Sequence, residues 1–259
     1  MNGAQPLRGK VALVTGGSTG IGAECSRRLA EQGAAIAFTY RNPGNVASMT
    51  SALETLSDVG SMALEMEMRS VASIRSGVES VARRFGRIDI LVNSAGTNLP
   101  QLALEVEEDN WDTVVETNLK GTFFACQAVA KIMLQHPPVA PDSFAMVNIA
   151  SQMGLVGYYQ RAAYCSSKAG VVNLTRVLAI EWATSGIRVN AVAPTFIDTP
   201  LGDRVLADPN VRNDAVSRIP MGRLGTPREV ADGVLYLVGP GASLVTGHTL
   251  VIDGGWTAL

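Results

Sequence analysis

Residues 10–33 read as a strand, a glycine-rich turn and a helix in direct succession, an order that few folds admit. Lys10-Val11-Ala12-Leu13-Val14 is a short apolar run of the kind a buried strand requires. It enters Thr15-Gly16-Gly17-Ser18-Thr19-Gly20-Ile21-Gly22. Beyond the turn, Ile21, Cys25 and Leu29 recur at helical spacing as far as about Gln32, and Gly33 is placed to end that helix. Glycines at 16, 20 and 22 carry no Cβ to hold a ligand off the backbone. Their N–H groups and the helix N-terminus can therefore approach a pyrophosphate, whose charge the helix dipole favours. The expected ligand is a dinucleotide, although Gly-x-x-x-Gly-x-Gly differs from the Gly-x-Gly-x-x-Gly of the commonest dinucleotide turns. A turn rich in glycine for packing alone is the competing reading.

Apolar, strand-like runs recur at about 10–15, 34–40, 61–66, 88–92, 144–149, 187–192 and 248–252, with longer helix-compatible segments between most of them. That alternation predicts an α/β fold built on a doubly wound parallel sheet of about seven strands, with helices on both faces. Ile88–Val92 and Phe144–Ile149 are mainly apolar, as central strands covered on both sides should be. Ligands of such sheets bind beyond the strand C-termini, which is where Asn93 to Gly96 and Ser151 fall. With 259 residues and 47% hydrophobic content, one domain over 1–259 is expected. There is no repeat or charge block, and the linker-like stretch His136 to Pro141 reads as a short loop.

A formal charge of −2 gives no basic footprint for nucleic acid or anionic lipid. Met1 to Lys10 lacks the pattern of a secretory signal, so a cytoplasmic location is expected. Gly233 to Ile252 is uncharged over its length, but Gly239-Pro240-Gly241 and the polar Ser243, Thr246 and His248 interrupt it, against a membrane span. Cys25, Cys126 and Cys165 are scattered, as free thiols rather than metal ligands or disulfide partners would be. His136 and His248 are isolated and receive no role. No metal site is expected.

Tyr164-Cys165-Ser166-Ser167-Lys168 places a phenol and an ammonium four residues apart, on one helical face. A free phenol titrates near about 10, and a nearby cation favours its phenolate, bringing it toward the range useful for proton transfer. Ser151 precedes the tyrosine by thirteen residues. Alone, the Tyr/Lys pair arises often on amphipathic helices and Ser151 could be a strand-end turn serine; together they read as a carbonyl/alcohol redox site.

Thr15 to Gly22, Asn93-Ser94-Ala95-Gly96, Asn118, Ser151 and Tyr164/Lys168, in this order across nearly the whole chain, resemble the short-chain dehydrogenase/reductase family. The resemblance implies hydride transfer between nicotinamide and a carbonyl carbon. Tyr164 would be the acid/base, Ser151 would hydrogen-bond the carbonyl oxygen, and Lys168 would lower the Tyr164 pKa and hold the nicotinamide ribose. Asn118 would hold a proton-relay water beyond Lys168. It further implies cofactor contacts from Gly16, Ser18, Thr19, Gly20, Ile21, Gly22, Asn93, Ala95 and Gly96, as well as Tyr164 and Lys168. At the end of the second strand Tyr40 stands where the family commonly has an acid, and Arg41 follows it. An arginine there can pair with a 2′-phosphate, so NADP(H) is favoured and NAD(H) is the alternative. Glu67 and Met68 fall at the adenine contact, where Asp is usual. After the sixth strand Pro194 to Thr199 has Pro-Thr for the usual Pro-Gly. There Pro194, Ile197 and Thr199 would meet the nicotinamide, and a positive φ at Thr195 would be costly.

A substrate lid is expected at about 196–224, mixing Leu201, Val205, Leu206 and Val211 with Arg204, Arg212 and Arg218. Met153, Leu155, Val156, Tyr158 and Tyr159 suggest a partly apolar wall. Arg223 to Glu229 and Ile252 to Gly255 resemble 3-oxoacyl-carrier-protein reductases and their small-ketone and sugar-dehydrogenase relatives. A ketone reductase of 3-oxoacyl or small-ketone type is the leading expectation, a polyol or sugar dehydrogenase the alternative, and a nucleotide-sensing module without chemistry a third class. Val171, Val172, Leu174, Val177, Leu178 and Ile180 exceed a single apolar stripe, as do Val114, Val115, Leu119, Phe123 and Phe124. A homo-oligomer, dimer or tetramer, built on those helices is expected.

Overall fold

The computed structural model describes residues 5–56, 60–136 and 144–258; of the linker-like stretch at 136–141 only His136 falls among them. Seven strands form one parallel sheet: β1 Val11–Thr15, β2 Ala35–Tyr40, β3 Ser61–Glu65, β4 Ile90–Asn93, β5 Phe144–Ile149, β6 Ile187–Pro194 and β7 Thr249–Ile252. Their order is β3-β2-β1-β4-β5-β6-β7, and every neighbouring pair is parallel. Connections leave β1 toward one edge and then, from β4, toward the other. This reversal opens a crevice above the C-terminal ends of β1 and β4, where a ligand can lie between diverging loops.

The helices are α1 Gly20–Glu31, α2 Val46–Leu56, α3 Val71–Phe85, α4 Glu108–Val115, α5 Gly121–Met133, α6 Ala162–Trp182, α7 Pro200–Val205, α8 Pro209–Ser217 and α9 Pro227–Val238. Alternate strand residues supply two cores. Ala12, Val14, Ile36, Phe38, Ile90 and Val92 pack with α1, α2 and α9, whereas Val11, Leu13, Ala35, Ala37, Leu91 and Met146 pack with α3, α5 and α6. Because both faces are covered, the central strands show no polar alternation, which is why they stand out in the sequence as continuous apolar runs.

Local chemistry fixes the ends of the elements. Gly33 has φ +91°, and the N–H groups of Gly33 and Ala34 donate back to the carbonyls of Ala30 and Leu29, closing α1 with the reverse turn that favours glycine. Asn93 ends β4, one residue beyond the expected 88–92, and β6 runs two residues past its expected end to Pro194. Among the described residues, no helix is long and apolar enough to cross a membrane.

Candidate active site

The turn after β1 is built by close approach. A Cβ on Gly22 would lie 2.3 Å from the Gly16 carbonyl oxygen, and one on Gly16 would lie 2.9 Å from the Ala95 Cα. Gly16 and Gly20 have φ of +64° and +54°, the left-handed region that side chains avoid. Thr15 Oγ1 accepts from the N–H groups of Ser94 and Ala95, both at 3.1 Å, tying the end of β1 to the end of β4. Thr19, at the N-cap of α1, makes no side-chain cap bond. The first-turn N–H groups of α1 thus open on a cradle suited to an anion.

Two cavities meet at this turn. One, of about 450 Å³, is lined by Ser18, Arg41, Glu67 and Met68, among others; the second, of about 230 Å³, is lined by Ile21, Ser151, Tyr164, Lys168, Pro194, Ile197 and Thr199. Gly16, Thr19, Ala95 and Gly96 belong to both walls, so the glycine turn stands as a neck between the larger cleft and the chamber lined by Ser151, Tyr164 and Lys168. A glycine-lined neck beside the N-terminus of α1, joining two such spaces, fits a nicotinamide dinucleotide. Arg41 is exposed, and Glu67 turns its carboxylate onto the backbone N–H of Arg69 at 2.9 Å.

Three expected site residues stand behind the cavity walls. Gly22 is a spacer under Gly16. The Asn93 side chain donates to Asn148 Oδ1 at 2.9 Å and to Cys126 Sγ, within the core rather than toward the cleft. Asn118 lies in a π-helical turn, Glu116–Lys120, that joins α4 to α5. Such bulges rotate a side chain out of the helical register. Here the Asn118 amide clasps the loop after β4: it accepts from the Thr97 N–H at 2.8 Å and donates to the Thr97 carbonyl at 2.9 Å and to Ser167 Oγ at 3.1 Å.

Ser151 lies two residues beyond the end of β5, and its hydroxyl accepts from the Met153 N–H at 3.1 Å. Tyr164 and Lys168 lie in the first turns of α6, one turn apart. Lys168 is buried, its Nζ donating to the Ile149 carbonyl at 2.6 Å and standing 5.8 Å from the Tyr164 ring centroid. Burial holds the Lys168 ammonium down to about 8. Burial also pushes the Tyr164 phenol up, while the Ser151 hydroxyl and then the Arg161 cation pull it back. The net displacement of the phenol is upward, with burial as its largest cause.

Opposite this set, β6 delivers Thr195 without strain. Thr195 donates its N–H to the Ile252 carbonyl, in line with the strand, and the described non-glycine with positive φ is Gln160, at +59°. The costly conformation expected at Thr195 is avoided because the strand simply continues. Thr199 caps α7 through a bond from the Gly202 N–H at 3.0 Å. The wall is only partly as expected: Met153 is buried and faces the chamber, whereas Leu155, Val156 and Tyr159 are exposed. Tyr158 instead packs edge-on against Phe196 and Trp256, with ring centroids 5.7 Å apart in both pairs. Its hydroxyl donates to Asp214 at 2.8 Å, which ties α8 to the loop after β5.

Sequence reasoning missed Asn98, Gln152 and Trp256. Gln152 adjoins Ser151 and was legible by position, but nothing in the sequence marks the burial of its amide. Cys25 and Cys126 are buried free thiols that burial pushes up to about 12, and Cys165 is also free. Among the described residues, no cluster of His, Cys, Asp and Glu could hold a metal ion.

A family model described as enoyl-(acyl carrier protein) reductase matches residues 16–257. The chain is 42% identical to the D-threitol dehydrogenase of Mycolicibacterium smegmatis over 97% of this chain and 94% of that one. It is 38% identical to the 3-oxoacyl-[acyl-carrier-protein] reductase FabG of Thermotoga maritima, over 96% and 98%. The crystal structure of levodione reductase superposes with a TM-score of 0.90 at 32% identity, covering 97% of this chain and 99% of that one.

Proposed function

The chain belongs to the short-chain dehydrogenase/reductase family, whose members are NAD(P)-dependent oxidoreductases of alcohol and carbonyl groups, and from that premise we propose that it interconverts a ketone and a secondary alcohol, with Tyr164 as acid/base and NADP(H) preferred. The observation that carries this reading is the meeting of Ser151, Tyr164 and Lys168 in one chamber that opens onto the glycine neck. When bound, the nicotinamide gives or takes the hydride. Tyr164 moves the proton on the substrate oxygen, and its raised pKa keeps the phenol protonated, ready to donate in the direction of reduction. Ser151 hydrogen-bonds the same oxygen as charge develops there. Lys168 holds the ribose hydroxyls, and Asn118 acts by positioning: it fixes Thr97 and, through Ser167, the first turns of α6.

Gly16, Ser18, Thr19, Gly20 and Ile21 receive the pyrophosphate and adjoining groups, with Gly22 giving the turn its room. Ala95, Gly96, Glu67 and Met68 flank the adenosine, and Pro194, Ile197 and Thr199 flank the nicotinamide. Asn93 contributes by holding the end of β4. The exposed Arg41, with no acid on Thr39, Tyr40 or Asn42, favours a 2′-phosphate. The reading also takes 1–259 as one domain with 196–224 as its lid, a homo-oligomer as its assembly, and the cytoplasm as its location.

Ketone reduction, including 3-oxoacyl or small ketones, and polyol or sugar oxidation are the two directions that this site can run. The test is loss of reduced-nicotinamide absorbance with a ketone panel, or its gain with an alcohol panel, for the wild type and Tyr164→Phe. The variant should lose at least about 10³-fold in kcat, as removal of a proton-transfer group does, and keep nucleotide affinity. Unchanged turnover in the variant would refute the assignment.

A further inference from the structure

We propose that Tyr158 latches the lid over the reaction chamber: the hydrogen bond from its hydroxyl to Asp214 holds α7 and α8 shut, and the chamber exchanges its contents when that bond breaks. Tyr158 is thus a positioning residue for the reaction. The inference rests on the reading of 196–224 as a lid above Ser151, Tyr164 and Lys168.

The lid segment closes at its base. The Gly225 N–H donates to the Phe196 carbonyl at 3.0 Å and the Asp198 N–H to the Gly225 carbonyl at 2.9 Å, so the chain leaves the body after β6 and returns beside the same point. Between these ends stand α7, of six residues, and α8, of nine. Helices that short do not hold in water unaided, so they depend on what they pack against. Phe196, Leu201 and Val205 line the chamber together with Ser151 and Tyr164. The lid also reaches the glycine neck, where a Cβ on Gly20 would lie 3.4 Å from the Thr199 methyl. Its position therefore decides how far the chamber opens.

The core that holds the lid is small. Met153, Phe196, Leu206 and Ala215 cluster apart from the two cores that flank the sheet, with Tyr158, Tyr164 and Trp256 packed against them. Tyr158 is where the body grips this cluster. Its ring meets Phe196 and Trp256, and the guanidinium groups of Arg161 and Arg218 stand 5.9 Å and 5.8 Å from its centroid. Phenylalanine would pack as well there; the hydroxyl adds the bond to Asp214, at 2.8 Å. Arg218 holds that carboxylate in place, its Nε donating to both oxygens at 3.0 Å and 2.9 Å. Burial, and then the Asp214 bond, push the Tyr158 phenol up to about 12, so the hydroxyl stays a donor at neutral pH. A bond from a hydroxyl to a charged acceptor is stronger than a neutral pair, enough to change an opening equilibrium by about 10-fold. The Met221 N–H, which donates to the Gly254 carbonyl at 3.1 Å, secures the C-terminal end of the segment separately. Losing the latch frees α7 and α8 without detaching the whole lid.

The lid's own arginines report its opening. Arg204 and Arg212 are exposed on α7 and α8, and trypsin cuts there when the helix opens locally, at a rate that follows the open population. Arg83, exposed on α3, reports opening of the body. Tyr158→Phe and Asp214→Ala should each raise cleavage at the lid sites about 10-fold with Arg83 unchanged, and the double variant should go no further, as for two halves of one contact. Asp214→Asn keeps an acceptor for the hydroxyl and should stay within about 3-fold of the wild type. No rise, additive rises, or an equal rise at Arg83 would overturn the latch. Release of NADPH, followed by its fluorescence during a chase with NADP+, should quicken in Tyr158→Phe by the same factor as lid cleavage. Unchanged release from a loosened lid would overturn its control of the chamber. If neither NADPH nor NADH binds the wild type, the redox reading fails, and the cleavage ratios still decide the latch.

Discussion

Lys168 is held in a place that weakens its own charge. Burial brings its pKa down to about 8, so the penalised form is the ammonium: the charge is kept below that value and lost above it. The phenol of Tyr164 is displaced upward and stays protonated through the same range. In the free enzyme the two shifts leave a single relevant titration near neutrality on the alkaline side, that of the lysine. The profile of kcat/KM for ketone reduction should therefore be level below about pH 8 and fall roughly tenfold per unit above it, since kcat/KM reports the free enzyme's groups. A level profile through pH 10 would show that the ammonium is dispensable. The proposed preference for NADP(H) rests on one side chain, Arg41. Exposed and unpaired among the described residues, it can be changed without disturbing the core, and Arg41→Asp puts an acid beside the position where the ribose hydroxyl would lie. That variant should raise KM for NADPH by about 10-fold or more and lower it for NADH, in line with the strength of charge-assisted pairs; equal change for both would remove Arg41 from the recognition of the 2′-phosphate.

At the scale of elements, the glycine turn is the part whose sequence and structure agree most closely, and the reason is steric. A Cβ at Gly22 would meet the Gly16 carbonyl oxygen at 2.3 Å, and backbone cannot step aside as a flexible side chain can. Gly22→Ala should cost about 1–3 kcal/mol, the usual range for overpacking, and weaken nucleotide binding with it. Gly157→Ala, whose Cβ would enter open space, serves as the control. Thermal denaturation and nucleotide titration of the two variants check this, and a tolerated Gly22→Ala would mean that the turn relaxes as a unit. The strands were legible for a related reason: burial on both faces writes β1, β4 and β5 as unbroken apolar runs. The π-helical turn at Glu116–Lys120 was not legible, because a one-residue insertion in a helix leaves no mark on hydrophobic periodicity. Nor were the buried amides of Asn98 and Gln152, whose burial depends on strands distant in sequence. Lys168 was legible by position, whereas its bond to the Ile149 carbonyl is a fact of packing that the sequence does not mark.

Of the exposed apolar side chains among the described residues, two groups bear on how the whole molecule assembles. On α6, Val177 is 43% and Ile180 79% exposed, three residues apart and so on one helical face. Val251, within the edge strand β7, is 38% exposed, and Leu244, before it in the chain, 97%. The remainder of the apolar stripe on α6, notably Val171, Val172 and Leu178, is buried against the sheet, so covering the sheet accounts for part of the excess apolar character and leaves Val177 and Ile180 unexplained. Stable interfaces bury on the order of 1,000 Å² or more, and identical subunits close most simply around two-fold axes. One self-complementary patch of this kind gives a dimer; two independent ones give a tetramer. We therefore expect sedimentation of the wild type to report a tetramer, Ile180→Glu to halve it by opening the α6 contact, and Val251→Lys to halve it by opening the β7 edge. Each change is made at an exposed position, so circular dichroism of the protomer should not alter. A dimer that only Ile180→Glu disrupts would confine assembly to α6, and a wild-type monomer at micromolar concentration would show that both patches are ordinary surface.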